Sequence, residues 1–193
     1  MNTKYKAFLS SNEVQKWLAQ FNSFFPSDND TDKEFLKAID FYTASANPVF
    51  NNYLRYNTKL DPEDFDYPYV MKMLEKINTY YIPDNIIVYR YISKGLLKEM
   101  CPSYPPKKNM IMQDKGFMST TLIKESVNSY RANRSQNILL VISVPIGTKG
   151  MYVGHLKNTL DEYEVLLAPS TQLHIDYKLP FFNCYFKCTA ILS

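Results

Sequence analysis

The sequence predicts an α+β fold, with helices first and strands after. Three observations carry this. Up to residue 82, capping signals precede apolar stripes spaced i, i+3, i+4, i+7. At Pro83-Asp84-Asn85 the period changes, and β-branched and aromatic runs take over. Those runs are not separated by helical patterns, so a βαβ sheet is not expected. At 193 residues one domain over 1–193 is expected, mainly helical over 1–82 and mainly strand over 83–193.

The first helix opens at the capping box Ser10-x-x-Glu13 and carries Val14, Trp17, Leu18 and Phe21 on one stripe. Residues 22–30 form a turn-rich break. A second capping box, Thr31-x-x-Glu34, opens a helix with Phe35, Ile39 and Tyr42 on its stripe. Asn47-Pro48 reads as the N-cap and first-turn proline of a third helix, which buries Phe50, Tyr53 and Leu54. After a break at Asp61-Pro62-Glu63, the residues Val70, Met73, Leu74, Ile77 and Tyr81 mark a fourth. Strands are expected at 86–92, 116–121, 138–144, 151–153, 163–167, 173–177 and 181–192. Three loops lie among them. Residues 97–113 are irregular and rich in proline, 124–136 are polar and hold Tyr130, Arg131 and Arg134, and 154–161 lead into Glu162.

Composition narrows the function classes. A hydrophobic content of 46%, much of it Tyr and Phe, supports a real core. A net charge of +3 is too small to argue for nucleic acid or a membrane surface. Residues 1–21 are amphipathic and polar, without the apolar centre of a signal peptide, and no apolar run approaches membrane-spanning length. An exported chain would carry its signal elsewhere or leave by a non-classical route. Cys101, Cys184 and Cys188 are too few and too unevenly placed for a disulfide framework. Cys184 and Cys188 have the spacing of half a zinc site, but His155 and His174 do not complete it, so no metal is expected. Five glycines, none in G-x-G-x-x-G or P-loop spacing, remove the dinucleotide and Walker fingerprints. No Gly-x-Ser-x-Gly elbow or His-Glu-x-x-His pair points to a hydrolase.

Three features remain. Arg90 interrupts an otherwise apolar strand, and a buried guanidinium needs an anionic partner unless it snorkels to water. Ser119-Thr120-Thr121 places hydroxyls on a short extended segment. Glu162 and Glu164 sit i, i+2 at the head of an apolar run, so in an extended chain both side chains share a face. Two like charges there repel. They read either as a solvated strand end or as a pair aimed at reaction chemistry.

Their order decides. Val88-Tyr89-Arg90, then Gly116-Phe117-Met118-Ser119-Thr120-Thr121, then Glu162-Tyr163-Glu164-Val165-Leu166-Leu167 resembles the Arg–Ser–Glu class of mono-ADP-ribosyltransferase. Upstream, Tyr42-Thr43 and Asn51-Asn52-Tyr53-Leu54-Arg55 resemble the helical Tyr-Thr…Asn-x-x-Leu-Arg segment of its bacterial exoenzyme branch, which includes binary toxins and Rho-modifying exoenzymes. The resemblance implies a mixed, mainly antiparallel two-sheet β core behind the helices. It implies NAD as co-substrate, no metal, and a secreted or host-delivered toxin or effector whose partner is a host protein. A separate translocation component is compatible with it.

Residue by residue, the resemblance implies that Arg90 and Arg55 clamp the NAD pyrophosphate, with Asn51 beside them. Ser119 would orient Glu164, Thr121 would support the site, and Glu164 would bind the nicotinamide-ribose 2′-hydroxyl. Glu162 would orient or deprotonate the acceptor, and glutamate there implies an arginine acceptor. From the 124–136 loop Tyr130 and either Arg131 or Arg134 would contact NAD, with the choice between the arginines open. The 154–161 loop lacks the aromatic residue that the branch often offers to its protein substrate. An NAD glycohydrolase and a catalytically weak NAD-binding module of the same fold stand as alternatives.

Overall fold

The computed structural model describes residues 4–27, 31–56, 61–126, 136–154, 156, 162–179 and 184–192. Helix α1 (Ser11–Phe21) begins at the expected Ser10 cap, with the return bond from Glu13 reaching one residue further back than a standard capping box. The Ser10 hydroxyl accepts from the Glu13 amide, and the Glu13 carboxylate accepts from the Leu9 amide at 2.8 Å. Its stripe buries Val14, Trp17 and Leu18, and Trp17 packs edge-on or tilted against Phe8, Phe21 and Phe25. Helix α2 (Lys33–Phe41) is capped one residue later than the Thr31 box implies. Asp32 accepts from the Phe35 amide at 3.1 Å and also draws in Lys72 and Lys76 from α4 (Tyr67–Ile77). A carboxylate serves the exposed helix start better than a hydroxyl when two ammonium groups are within reach.

The expected N-cap at Asn47 does not occur. Helix α2 runs through a π-helical turn, Tyr42–Ala46, directly into α3 (Asn47–Tyr56). Pro48 has no amide to donate, and a wider turn just before it absorbs the missing bond without ending the helix. Helix α4 stops at Ile77, so Tyr81 belongs instead to an isolated bridge with Lys149.

Among the described residues, eight strands form one hydrogen-bonded order, β2-β7-β8-β4-β1-β3-β6-β5. They are β1 (Ile86–Ser93), β2 (Ile111–Asp114), β3 (Met118–Thr121), β4 (Gln136–Val144), β5 (Gly150–Tyr152), β6 (Glu164–Leu167), β7 (Thr171–Lys178) and β8 (Tyr185–Ala190). All pairings are antiparallel except β4 with β8. Strand β1 pairs with β4 along its whole length but meets β3 through one residue pair, Tyr89 opposite Thr121. The order therefore divides into a five-strand and a three-strand part joined at a narrow seam. The two-sheet core expected from the resemblance takes this form.

Two elements were not anticipated, both within or beside the proline-bearing 97–113 stretch. Helix α5 (Lys94–Met100) starts without any loop after β1, with the Ser93 hydroxyl accepting from the Leu96 amide at 3.1 Å. Strand β2 pairs with β7 at the edge of the order. The strand expected from 163 starts at Glu164, because Tyr163 has φ +52°. In β8 Cys188 is buried, while Cys184 just before it is exposed, and all three cysteines are free. The helices cover the sheet and share one apolar core with it, in which Phe35, Phe50, Met73, Val88, Ile142 and Leu166 are fully buried. No helix among the described residues is long and apolar enough to cross a membrane.

Candidate active site

A cleft of about 560 Å³ opens beside the β1–β3 seam. That is the size of a small-molecule or cofactor site. Its walls come from the π turn and α3 (Tyr42, Asn51, Arg55), from β1 (Arg90), from β3 (Ser119, Thr121) and from Glu162 and Glu164. Asn51, Arg55, Arg90, Ser119, Thr121, Glu162 and Glu164, all singled out from sequence, thus meet in one place, although up to 113 positions separate them, from Asn51 to Glu164.

The floor of the cleft is basic. Arg55 grips Asp114 with two parallel bonds of 2.9 Å, from Nε to Oδ1 and from Nη2 to Oδ2. Arg90 Nη1 lies 3.1 Å from Asp114 Oδ2. Both guanidinium groups are largely buried, and the Asp114 side chain is 0% exposed. Burial disfavours the charge on Arg55, and the Asp114 bonds outweigh it, so its pKa lies above the usual arginine value. Asp114 Oδ1 also accepts from the Gly116 amide at 2.9 Å. One step on, the Phe117 amide donates to Asn51 Oδ1 at 2.7 Å, and Asn51 Nδ2 donates to the Tyr42 hydroxyl. Asn51 is thereby spent on the scaffold while still lining the cleft. Gly116 is the only residue type that fits this corner. An added Cβ would stand 2.6 Å from Asn51 Oδ1 and 3.1 Å from Arg55 Nε.

The rim is acidic. The Ser119 hydroxyl donates a short hydrogen bond to Glu164 Oε1, across paired strands β3 and β6. The Thr121 hydroxyl donates to the backbone carbonyl of Glu162 at 2.8 Å, which fixes the chain where it enters β6. Thr120 is buried and its hydroxyl donates to the Val165 carbonyl at 2.7 Å. Between the glutamates, Tyr163 takes left-handed backbone geometry, at a cost of roughly 1–3 kcal/mol for a residue with a Cβ. Its side chain packs against the core. The two carboxylates therefore do not share a face by strand alternation. The kink at Tyr163 puts both on the cleft. Burial first, and the neighbouring Glu164 charge second, push the Glu162 pKa up to about 7. Burial, then the same Glu164 charge, raises the Tyr42 hydroxyl far above its ordinary value, so it stays a neutral donor and acceptor.

Tyr130, Arg131 and Arg134 lie outside the described residues, as does most of the 154–161 loop. Asp114 was not singled out from sequence, and Tyr42 was read as part of a helical stripe and motif without a role in the site. For Asp114 a local signal existed. An aspartate two residues before a glycine is a common turn-former that accepts from the i+2 amide. Nothing local announced its arginine partners.

The family model of the ADP-ribosyltransferase exoenzyme matches residues 6–180. The chain belongs to that family. Among curated proteins it is 26% identical to the Photox toxin of Photorhabdus laumondii subsp. laumondii over 188 residues, which is 85% of this chain and 41% of that one. It is also 26% identical over 165 residues to the mono(ADP-ribosyl)transferase SpvB of Salmonella typhimurium, 73% of this chain and 26% of SpvB. The chain thus spans less than half the length of these relatives. The fold is shared with C3stau2 from S. aureus, a structure with NAD, at a TM-score of 0.76 and 20% identity over 99% of this chain and all of that one. It is also shared with the ADP-ribosylating toxin BECa of C. perfringens, a structure with NADH, at a TM-score of 0.75 and 18% identity over 97% of this chain and 50% of that one. The family is that of the ADP-ribosyltransferase exoenzymes, and the curated relatives named here are a toxin and a mono(ADP-ribosyl)transferase.

Proposed function

We propose that this exoenzyme-family chain cleaves NAD and transfers ADP-ribose to an arginine side chain of a protein in a host cell. The observation that carries the reading is the division of the cleft. Two guanidinium groups form its floor, and a Ser119-held carboxylate faces them from the rim with a second, proton-retaining carboxylate beside it.

NAD suits this arrangement. Its diphosphate is a dianion, and the floor carries two permanent positive charges against one buried negative charge. Glu164, oriented by Ser119, accepts a hydrogen bond from the 2′-hydroxyl of the nicotinamide ribose. That interaction strengthens as the bond from C1′ to the nicotinamide nitrogen breaks and the ribose gains positive charge. The bonding pair leaves with nicotinamide, which departs neutral and needs no acid. A guanidinium nitrogen of the acceptor then bonds C1′ and loses a proton, and Glu162 is the base that takes it. A carboxylate with a pKa near 7 is half ionised at neutral pH, so it can pair with the incoming cation and then accept its proton. Thr121 and Asn51 hold the backbone that carries these groups.

The glycohydrolase alternative uses the same cleft with water as acceptor. A weak binding module fits less well, because Arg55, Arg90, Ser119, Glu162 and Glu164 all reach the cleft. Incubation with labelled NAD and a eukaryotic lysate, followed by mass spectrometry, tests the proposal. ADP-ribose on arginine supports it. NAD consumption with no protein labelled would favour the glycohydrolase, and no NAD consumption would overturn both.

A further inference from the structure

Arg55 and Arg90 come from different elements, α3 and β1, and their guanidinium groups repel. Something must hold them together before a dianion arrives. The only carboxylate in contact with either, among the described residues, is Asp114 at the end of β2. Both of its oxygens are engaged. Oδ1 accepts from Arg55 Nε and the Gly116 amide, while Oδ2 accepts from Arg55 Nη2 and lies 3.1 Å from Arg90 Nη1. Its side chain is wholly buried, and it does not line the cleft, whereas Arg55 and Arg90 both do.

The donors left over point to a missing acceptor. Arg55 spends Nε and Nη2 on Asp114, which leaves Nη1 for a ligand. Arg90 Nη1 is buried and has no well-aligned hydrogen bond despite its short distance to Asp114. A buried donor in that state is costly unless an acceptor completes it. Two cations against one anion leave one net positive charge beneath the cleft.

We propose that Asp114 is a positioning residue that holds Arg55 and Arg90 side by side as a preformed cradle for the diphosphate of NAD. It acts through the arginines and touches neither the substrate nor the reacting carbon. The same carboxylate ties the Gly116 turn to α3, so the cradle is fixed relative to β3 and Ser119. The inference rests on NAD being the substrate, and the experiment below separates the two.

The test is the kinetics of NAD hydrolysis by wild type and Asp114→Asn, with ADP as a competitive inhibitor that carries the diphosphate without the reacting ribose. In Asp114→Asn the KM for NAD and the Ki for ADP should both rise about tenfold or more, the scale of one charged hydrogen bond. The kcat at saturation should stay within about threefold, since Ser119 and Glu164 are untouched. An unchanged or lowered KM would overturn the inference, because Asp114 would then be inert or a competitor for the arginines. A fall in kcat without the rise in KM and Ki would also overturn it, leaving a purely structural role. Should Asp114→Asn not fold by circular dichroism, Asp114→Glu is read in the same way, since it keeps the charge but displaces it by one methylene. If the wild type hydrolyses no NAD, it is the assigned reaction that fails.

Discussion

The floor and the rim of the cleft are built on opposite principles. At the floor, opposite charges are paired and buried: Arg55 is hydrogen-bonded to Asp114, and Arg90 Nη1 lies 3.1 Å from the same carboxylate. At the rim, like charges face each other across a strained residue, with Glu162 and Glu164 on either side of Tyr163 at φ +52°. Removing a partner from the first arrangement strands a buried charge, whereas the second is itself a standing cost to the fold. The rim persists because Thr121 pins the Glu162 carbonyl, Ser119 pins the Glu164 carboxylate, and Tyr163 is anchored in the core. Substitutions at the floor should therefore cost binding and stability, while those at the rim should cost chemistry alone.

The largest expected effect is at the rim. Glu164→Ala should lower kcat for NAD hydrolysis by about 10³-fold, the scale of removing a positioned transition-state group, with the melting temperature within a few degrees of wild type. A variant that lost activity only by unfolding would erase the contrast with the floor. At the floor, Arg55→Ala removes the bidentate partner of a buried carboxylate. It should cost about 3–5 kcal/mol in chemical denaturation, as broken buried pairs do. A loss below about 1 kcal/mol, the value of an exposed pair, would show that the floor is solvated. A smaller effect is expected at the corner that joins the two. Gly116→Ala forces a methyl against Asn51 Oδ1, which cannot retreat while it accepts from the Phe117 amide. It should destabilise the chain by about 1–3 kcal/mol and raise the KM for NAD, because Arg55 Nε is also within reach of the new methyl.

The same contrast explains what could be read from sequence. Rim residues announced themselves because they sit in short ordered stretches, Ser119-Thr120-Thr121 and Glu162-Tyr163-Glu164. The helices α1 and α4 and the long strands β1 and β4 were legible because a single apolar period covers each of them. The ion pair of Asp114 was not legible, since its partner Arg55 is 59 residues away and no local pattern encodes a tertiary ion pair. Nor was the left-handed turn at Tyr163. A tyrosine before a Val-Leu-Leu run has every local preference for a strand, and tertiary anchoring overrides it. Asn47-Pro48 misled for a related reason. Proline commonly opens a helix, and only the preceding π turn, invisible in composition, lets this one sit inside a continuous helix. The short elements α5 and β2 fell in a proline-bearing stretch too brief to show a period.

The division of labour between the two glutamates is the central claim, and the ratio of arginine transfer to NAD hydrolysis tests it most directly. The ratio should be measured from pH 5.5 to 8.5 with agmatine as acceptor, in wild type and Glu162→Gln. Burial and the Glu164 charge raise the Glu162 pKa to about 7, so the proton is held below that pH and released above it. In wild type the ratio should therefore climb through pH 7 and level off above it. In Glu162→Gln it should be low and flat, with hydrolysis retained. A Glu162→Gln enzyme that loses transfer and hydrolysis equally, or that keeps the wild-type climb, would contradict the assignment of Glu162 as the base for an arginine acceptor.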